Sequence, residues 1–373
     1  MGRIWLSSPT MHGEEMDFIK EAFDTNWIAP LGNNVTEFEN EISRYIGCKA
    51  AMAMTAGTHA LHMAFKMAGV KNGDIVLCSD LTFAATVNPV SYLGGVQVFI
   101  DSERDSWNMD PDALKIALDK YQGKVKAVVV ANLYGTPAKL DEITGICKEY
   151  GVTLIEDAAE SLSATYKGKQ TGTFGKYNAI SFNGNKIITT SGGGMFLSDD
   201  EKAVAKVRYY CTQARDPVPW YQHSEIGYNY RMSNIVAGIG RGQLLHIEEH
   251  KKRKAEIYNK YKESFADLPV KMNPYLDCSE PNFWLSCFCI DKNEKITPED
   301  IRVELQKSDI ESRNIWKPMH MQPVFEKNDY ITVGEEKVSE DIFKRGLCLP
   351  SDIKMTEEQQ NRVIKEIRKC FNK

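Results

Sequence analysis

Between about residue 50 and residue 200, short apolar runs rich in β-branched residues alternate with segments whose apolar positions recur at helical spacing. This alternation is typical of parallel βαβ units, in which a helix returns the chain to the same edge of the sheet. Several runs are apolar at almost every position, as in strands that are buried on both faces. The predicted strands are residues 74–79, 96–101, 127–132, 152–157, 178–183 and 193–199, and the predicted helices are residues 58–69, 83–94, 111–121 and 138–149.

Later in the chain the pattern changes and indicates a second, smaller unit. A predicted helix at residues 233–247 is followed by a charged helical stretch at residues 246–265, which we expect to lead into the second domain. A predicted strand at residues 283–290 comes next, and helix-start signals occur at Thr297 and Thr356.

These elements predict an α/β fold with two domains. A chain of 373 residues is too long for one simple core of typical size. We expect a large domain with a mostly parallel sheet at residues 1–247 and a smaller α+β domain at residues 248–373.

Composition and charge exclude several classes of protein. Hydrophobic residues make up 42% of the chain and charged residues 26%, and no segment approaches the ~18 consecutive apolar residues of a membrane span. The first residues lack a basic region followed by an apolar run, so we expect a cytoplasmic protein. A net charge of -5 without a long basic run argues against nucleic-acid binding. The nine cysteines include no CxxC pair, which favours reduced thiols over disulfides or a zinc ribbon.

The first candidate for chemistry is Lys186, the one lysine in the polar, glycine-rich stretch from Ser181 to Met195. This stretch follows a predicted strand, where the backbone can approach a ligand closely. A lysine amine reacts with carbonyl groups when burial or a neighbouring cation lowers its pKa, and pyridoxal 5′-phosphate (PLP) needs such a lysine. The alternative, a solvated loop lysine, would be favoured by position alone.

Acidic residues at the end of a neighbouring predicted strand suit the same cofactor. The carboxyl ends of strands in an open α/β sheet face the ligand crevice, so Asp157 can point into it. A buried carboxylate there would keep the pyridine nitrogen of PLP protonated. Alternatively, Glu156 and Asp157 cap the following helix. Glu160 could contact the ring hydroxyl or complete the cap.

A phosphate group requires further donors, and the turn at residues 55–58 supplies candidates. Gly57 and Thr58 open a predicted helix, whose free N–H groups and positive dipole end attract phosphate, although most such turns are only caps. The hydroxyl of Ser181 is a second candidate for the same phosphate. Phe83 could stack on the pyridine ring, or it could belong to the core.

Taken together, these residues resemble the DegT-type sugar aminotransferases, PLP enzymes of the aspartate-aminotransferase fold, fold type I, that act on nucleotide-linked keto-sugars. The resemblance runs from NWIAPLG near the start to IESRNIWKPMHMQPVF late in the chain. FNGNKIITTSGGG and WKPMHMQ are most similar to enzymes that aminate C4 of UDP-4-keto-6-deoxy-N-acetylglucosamine on routes to bacillosamine-type sugars.

The resemblance implies a role for each matching position. Lys186 would carry PLP as a Schiff base and move protons, Asp157 would face the pyridine nitrogen, and Glu160 takes a place that often holds Gln beside the ring hydroxyl. The other cofactor-binding positions implied are Gly57, Thr58, Phe83, Ser181, Asn183 and Asn229. Asn229 matches an Asn that reaches across a dimer interface, which implies a homodimer with shared active sites.

The resemblance also implies an activity and a set of substrate contacts. The implied reaction is transfer of an amino group from L-glutamate to C4 of the UDP-linked keto-sugar, without a metal. The implied substrate contacts are Trp27, Ile28, Ala29, Pro30, Trp316, Lys317, Met319 and His320. A lysine beside a proline, as Lys317 is, is more often merely solvated.

Other functions remain open at this level. They include an aminotransferase for another 3- or 4-keto sugar linked to dTDP or GDP, and a non-catalytic PLP-binding regulator. Lys186 argues against the related sugar dehydratases, which have His at that position, and no GxGxxG follows the first strand as in dinucleotide-dependent oxidoreductases.

Two further patterns have simpler explanations. His246 and His250 stand four apart on a predicted helix, a spacing that can bind metal, but no third ligand lies nearby and we expect a solvated helix face. Cys287 and Cys289 alternate along a predicted strand and share one face, which favours core packing over redox chemistry.

Overall fold

The structure, a computed structural model, describes residues 2–371. Its helices are α1 (Glu14–Asp24), α2 (Asn33–Ile46), α3 (Gly57–Met67), α4 (Asn88–Tyr92), α5 (Pro111–Tyr121), α6 (Leu140–Glu149), α7 (Glu201–Cys211), α8 (Asn234–Leu244), α9 (Ile247–Ser264), α10 (Pro298–Lys307), α11 (Val338–Arg345) and α12 (Glu357–Phe371). Its strands are β1 (Ala50–Met54), β2 (Ile75–Ser79), β3 (Val96–Ile100), β4 (Val125–Ala131), β5 (Thr153–Asp157), β6 (Thr165–Tyr166), β7 (Lys169–Gln170), β8 (Tyr177–Ser181), β9 (Gly194–Ser198), β10 (Val270–Met272), β11 (Ser279–Glu280), β12 (Ser286–Ile290), β13 (Arg313–Asn314), β14 (Tyr330–Ile331) and β15 (Gly346–Leu349).

A mixed sheet of eight strands, in the order β1-β9-β8-β5-β4-β2-β3-β14, forms the centre of the molecule. The pairs from β8 to β14 are parallel, whereas β9 runs antiparallel to both β8 and β1. The predicted α/β architecture with a mostly parallel sheet is therefore confirmed. The strands β5 and β8 consequently end at the same edge, where β9 begins.

Two elements of the structure differ from those that the sequence pattern predicted. Residues 83–94 do not form one helix: a short 3-10 helix at Ala84–Thr86 precedes α4, and Pro89, which has no N–H to continue a preceding helix, lies in the first turn of α4. The strand β1 was not predicted, since its sequence AAMAM contains no β-branched or aromatic residue.

A smaller antiparallel sheet, in the order β10-β12-β15-β13, lies in the C-terminal part. Cys287 and Cys289 of β12 are both buried, so the prediction that they pack in the core is confirmed. Thr297 forms a reciprocal capping box with Asp300 at the start of α10, as its sequence signal indicated. The domain boundary at residue 247 stays a prediction, because β14 of the later part pairs with β3 of the large sheet.

The charged helix α9 joins the two cores. Its first residue, Ile247, packs in the core beside β1 and β9, whereas Ile257 and Tyr261 pack in the core of the small sheet. The expectation of a solvated face is wrong for His250, which is 2% exposed. Its Nδ1 donates to the Ile187 carbonyl oxygen at 2.7 Å, and its Nε2 lies 2.7 Å from Nε2 of His12. A local charged run does not reveal that the N-terminal segment folds over it.

Two absences hold for residues 2–371. No helix there combines the length and the apolar character that a membrane crossing requires. No group of three or more His, Cys, Asp or Glu side chains is arranged there to hold a metal ion.

The start of β9 packs directly against the turn that follows β1. A Cβ atom added to Gly194 would lie 2.3 Å from the Gly57 nitrogen and 2.4 Å from the Ala56 carbonyl carbon. Real Cβ atoms do not approach backbone so closely, so only glycine permits this contact. The contact fixes the first turn of α3 against the edge of the sheet.

We predict that Gly194→Ala lowers the free energy of unfolding by about 1–3 kcal/mol or more, because the backbone of β9 or of the turn must shift. Denaturant unfolding of the variant and the wild type measures the difference. Gly145→Ala is the matched control: it lies on the exposed face of α6 with no atom within 4 Å of its added Cβ, and should be neutral or stabilise by up to about 1 kcal/mol. Equal unfolding midpoints for Gly194→Ala and the wild type would contradict the prediction.

Candidate active site

A cavity of about 370 Å³ opens at the edge of the sheet where β5 and β8 end. Its volume lies in the range of small-molecule sites. A larger and more open depression of about 1120 Å³ lies over residues 212–227, but its lining contains no lysine. The cavity is lined by Thr55, Ala56, Gly57, Thr58, Leu61, Phe83, Ala85, Asp157, Ala159, Glu160, Ser181, Asn183, Asn185, Lys186, Gly192, Gly193, Trp284 and Trp316.

The amine of Lys186 lies in this cavity, and its side chain is 11% exposed. Its Nζ is 3.6 Å from Oε1 of Glu160 and 3.9 Å from the ring centroid of Trp284. Burial lowers the pKa of Lys186, while the charges of Glu160 and Asp157 act in the opposite direction. An amine with a lowered pKa is a better nucleophile at neutral pH, so the solvated-loop alternative does not describe Lys186.

Asp157, the last residue of β5, is buried at the cavity wall. Its Oδ2 accepts a hydrogen bond from Thr86 Oγ1 at 2.7 Å, and its Oδ1 accepts one from the Ala159 N–H at 3.0 Å. Burial raises its pKa, and these donors oppose that effect. Because Asp157 faces the cavity and its oxygens retain free lone pairs, it can accept a proton-bearing ligand nitrogen.

The side chain of Glu156 has different partners from that of its neighbour. It is fully buried and accepts hydrogen bonds from the Asn132 amide and from the Gly172 and Phe174 N–H groups, at 2.8 to 2.9 Å. Glu156 thus fixes the loop after β7, and it does not line the cavity.

Glu160 lies between the amine and the chain that follows β4. Its Oε2 accepts a hydrogen bond from the Tyr134 N–H at 2.7 Å, while its Oε1 faces Lys186. Burial raises the pKa of Glu160 to about 7, although Lys186 lowers it. Burial therefore moves both partners of this pair towards their neutral forms.

The turn at the opening of α3 offers donors on another wall. Gly57 and Thr58 are the first residues of the helix, and no side chain caps its N-terminus. Unused N–H groups at a helix start bind anions. The hydroxyl of Ser181, at the end of β8, lies beside this turn, since a Cβ added to Gly57 would lie 2.9 Å from Ser181 Cβ.

Aromatic rings line the mouth of the cavity. Phe83 is 55% exposed, which argues against a place in the core, and its ring centroid is 5.3 Å from that of Trp316. The ring of Trp316 therefore enlarges the flat apolar surface that Phe83 alone was expected to supply.

Not every expected site residue lines this cavity. Among the expected cofactor contacts, Asn229 lies apart from the cavity on an exposed segment that pairs with Thr212. Met319 is buried in the core, and His320 bonds to the buried carboxylate of Asp80 at 2.8 Å. Outside the cavity lining are Trp27, Ile28, Ala29, Pro30, Asn229, Lys317, Met319 and His320.

Three residues of the site were not indicated by the sequence pattern: Trp284, which lines the cavity, and Tyr134 and Thr86, which hold Glu160 and Asp157 from behind. Tyr134 follows β4 at the same sheet edge, so the strand-end rule that located Asp157 could have found it. Thr86 lies in the segment predicted as a continuous helix, where it ends a short 3-10 helix and donates to Asp157. Trp284 comes from a distant part of the chain, just before β12, and no local signal identifies it.

The residues present fit PLP. A buried amine suits its aldehyde, a buried carboxylate suits its ring nitrogen, and the helix start with Ser181 suits its phosphate. The glycines at this edge leave room for a ligand beside the backbone, and Phe83 supplies a surface for an aromatic ring.

Comparisons with known proteins agree with this geometry. The model of the DegT/DnrJ/EryC1/StrS aminotransferase family matches residues 9–368. A Bacillus subtilis (strain 168) protein named "Putative pyridoxal phosphate-dependent aminotransferase EpsN" is 48% identical over 99% of this chain and 96% of its own length.

More distant relatives have names that refer to different sugars. A GDP-perosamine synthase of Caulobacter vibrioides is 34% identical over 97% of this chain and 96% of its own. A UDP-4-amino-4,6-dideoxy-N-acetyl-beta-L-altrosamine transaminase of Campylobacter jejuni is 29% identical over 91% and 92%.

A solved structure supports the same assignment. The crystal structure of a DegT DnrJ EryC1 StrS aminotransferase from Brucella abortus superposes with a TM-score of 0.89 and 27% identity, over 96% of each chain. The fold type inferred from the sequence is thereby confirmed. The chain belongs to the DegT/DnrJ/EryC1/StrS aminotransferase family and is a PLP-dependent sugar aminotransferase.

Proposed function

We propose that this chain transfers an amino group from L-glutamate to C4 of UDP-4-keto-6-deoxy-N-acetylglucosamine, which gives UDP-4-amino-4,6-dideoxy-N-acetylglucosamine. The observation that carries the transfer is the buried amine of Lys186, which shares one cavity with Asp157 and the anion-binding turn at Gly57. The sugar rests on the resemblance of FNGNKIITTSGGG and WKPMHMQ, and on the UDP-linked 4-amino-4,6-dideoxy sugar in the name of the Campylobacter relative.

The three titratable residues of the cavity each have a proposed task. PLP, when bound, supplies an aldehyde that takes up amino groups and a ring that withdraws electrons. Lys186 Nζ binds the aldehyde and moves the proton at the reacting carbon as a general acid and base. Asp157 holds the proton on the ring nitrogen through its Oδ atoms. Glu160 orients the amine and faces the ring hydroxyl.

The rest of the cofactor is held by the opposite walls. N–H groups of Gly57 and Thr58 and the hydroxyl of Ser181 bind the phosphate, with Asn183 beside them. The ring of Phe83 covers one face of the cofactor and excludes water from it.

The sugar nucleotide is proposed to bind at the mouth of the cavity. Trp316 lines that mouth, and Lys317 follows it in the chain, where its ammonium can meet the diphosphate. Because Met319 and His320 are packed beneath the loop, we propose that they support Trp316 rather than touch the sugar directly. Trp27, Ile28, Ala29 and Pro30 are exposed, and they are proposed to complete the sugar site.

A homodimer with shared sites is part of the proposal. Large apolar side chains are exposed on α1, after it, and at the end of α8: Met16, Phe23, Trp27, Ile28, Leu31 and Leu245, at 49% to 66%. Exposed apolar patches of this kind mark protein interfaces. In a dimer, the segment 27–30 and Asn229 would reach the cavity of the neighbouring subunit.

A GDP-linked keto-sugar is the second candidate substrate. Three relatives, at 30% to 34% identity and nearly full coverage, are named GDP-perosamine synthases. The nucleotide is recognised outside the cofactor cavity, so the residues around Lys186 suit either sugar nucleotide.

We expect purified protein with PLP and L-glutamate to aminate the UDP-linked 4-keto sugar with a higher kcat/KM than the GDP- and dTDP-linked 4-keto-6-deoxy sugars. Mass spectrometry identifies the amine, and proton coupling constants identify its position. Preferential amination of the GDP-linked sugar would replace the proposed substrate with the second candidate.

Lys186→Arg is expected to abolish the visible absorption band that PLP acquires when it is bound covalently, and to remove amination. Arginine keeps the positive charge but forms no such bond at neutral pH. Lys176→Arg, at an exposed lysine nearby in the chain, should keep the band and serves as the control. A Lys186→Arg protein that retains the band would refute the role of Lys186.

The raised pKa of Glu160, about 7, predicts a pH effect on the stability of the cofactor-free protein. The folded protein holds this proton more tightly than the unfolded chain, so the stabilisation is fully present below the unfolded pKa of about 4.5 and is lost as pH rises through about 7. The melting temperature of the wild type relative to Glu160→Gln should therefore fall between those values and stay constant above them.

Glu358→Gln, at an exposed glutamate on α12, is the control and should show no such step. If the difference between the wild type and Glu160→Gln is constant from pH 5 to pH 8, Glu160 does not titrate in that range.

A further inference from the structure

Trp284 is fixed through its backbone and its ring. The residue is 2% exposed. Its ring Nε1–H donates to the carbonyl oxygen of Asn185 at 2.6 Å, and its backbone N–H donates to Oδ1 of Asn282 at 2.9 Å. Its carbonyl oxygen accepts a hydrogen bond from Nζ of Lys254 at 3.0 Å. A residue held by one hydrogen bond through its ring and two through its backbone has little freedom to shift.

The ring held in this way faces the amine of Lys186, whose Nζ is 3.9 Å from the ring centroid. An ammonium over the face of an indole is attracted by the negative charge of the π system, and the attraction is stronger where water is excluded. Since Asn185 immediately precedes Lys186, Trp284 contacts the lysine twice, through its ring and through the backbone before it.

Lys254, the residue behind Trp284, is a buried lysine in an unusual setting. It projects from α9, is 3% exposed, and donates to two backbone carbonyl oxygens, those of Trp284 and of Ser351 at 2.9 Å. Neither acceptor carries a full negative charge. Burial lowers the pKa of Lys254 to about 8, and Asp352 opposes this through space. A buried amine without a contacting carboxylate is costly, which favours a specific task over simple packing.

A second residue of α9 reaches the other side of Lys186. His250, one turn before Lys254, donates through Nδ1 to the carbonyl oxygen of Ile187 at 2.7 Å. Thus α9 bonds directly to the residue after Lys186 and, through Trp284, to the residue before it.

We infer that Trp284, anchored by Lys254 of α9, is a positioning residue that holds the amine of Lys186 in place and stabilises its cationic form. Nothing in the sequence pattern or in the resemblance assigns either residue. The inference rests on the proposed role of Lys186 as the residue that binds the cofactor.

Positioning by Lys254 and a direct effect of its charge predict opposite changes in the pKa of Lys186 when Lys254 is replaced. If Lys254 acts only through its own charge, replacing it by methionine removes a nearby cation and raises the pKa of Lys186. If Lys254 acts by fixing Trp284, the same replacement frees the ring, and the pKa of Lys186 falls. The sign of the change in Lys254→Met therefore decides between them.

The experiment measures the pKa of Lys186 in the full-length, cofactor-free protein from the pH dependence of its reductive methylation, followed by mass spectrometry. The variants are Trp284→Leu, Trp284→Phe, Lys254→Met and the pair Lys254→Met with Trp284→Leu. Lys252→Met, an exposed lysine on the same helix, is the matched control. The Kd for PLP and the separate values of kcat and KM are measured on the same proteins.

We expect Trp284→Leu to lower the pKa of Lys186 by about 1, since the cation loses the face of the indole. Lys254→Met should also lower the pKa of Lys186, and in the double variant this pKa should fall no further than in Trp284→Leu alone. Trp284→Phe keeps a ring but loses the bond to Asn185. It should weaken PLP binding and lower kcat, and change the pKa of Lys186 less than Trp284→Leu does. Lys252→Met should match the wild type in every measurement.

A raised or unchanged pKa of Lys186 in Lys254→Met, or a double variant in which the two effects simply add, overturns the inference. If Lys254→Met does not fold, the two Trp284 variants decide: an unchanged pKa in Trp284→Leu together with unchanged PLP binding in Trp284→Phe overturns it. Failure of the proposed function is recognised separately, because wild-type protein would then show no visible band with PLP.

Discussion

The burial of one amine beside two carboxyl groups is the constraint on which this site depends. Lys186, Asp157 and Glu160 lie together at the wall of one cavity, and the side chains of all three are largely buried. Unpaired charges in such surroundings cost several kcal/mol each, so the three groups must share protons and hydrogen bonds. Burial lowers the pKa of the lysine and raises those of both acids, so it brings the proton affinities of the amine and the carboxyl groups closer together. A group that gains and loses a proton easily is what amino transfer requires.

The sheet supplies the rigidity that this cluster needs. Asp157 ends β5, Ser181 ends β8, and the turn before α3 packs against the start of β9 at Gly194. These groups therefore come from the ends of hydrogen-bonded strands rather than from free loops, and their relative positions follow from strand register. The long loop between β8 and β9 carries Lys186, and it is secured in turn by Trp284 and by His250.

Local sequence was sufficient to predict the parallel sheet, because β-branched runs bounded by turns recur along the chain. It was also sufficient to bring Asp157, Glu160, Ser181 and Lys186 to one cavity, since each follows a strand on the same edge. It failed for Trp284 and His250, whose contacts join segments some sixty to one hundred residues apart. It failed for β1 as well, where alanine and methionine form a strand only because β9 lies beside it. The sugar nucleotide could not be read from the same pattern, because the segments proposed to bind it, residues 27–30 and Lys317, lie outside the cavity.

The helix that begins in one core and ends in the other also has a mechanical consequence. The helix α9 is continuous from Ile247 to Ser264 and is hydrogen-bonded to Ile187 and to Trp284, on either side of Lys186. A rotation of the two parts of the molecule away from each other would therefore also displace the Lys186 amine. Any motion that opens the crevice for a large sugar must therefore be taken up elsewhere, in segments that α9 does not hold. Heat or denaturant that loosened the small sheet alone would also disturb the surroundings of Lys186, so loss of cofactor should accompany the earliest unfolding of the C-terminal part.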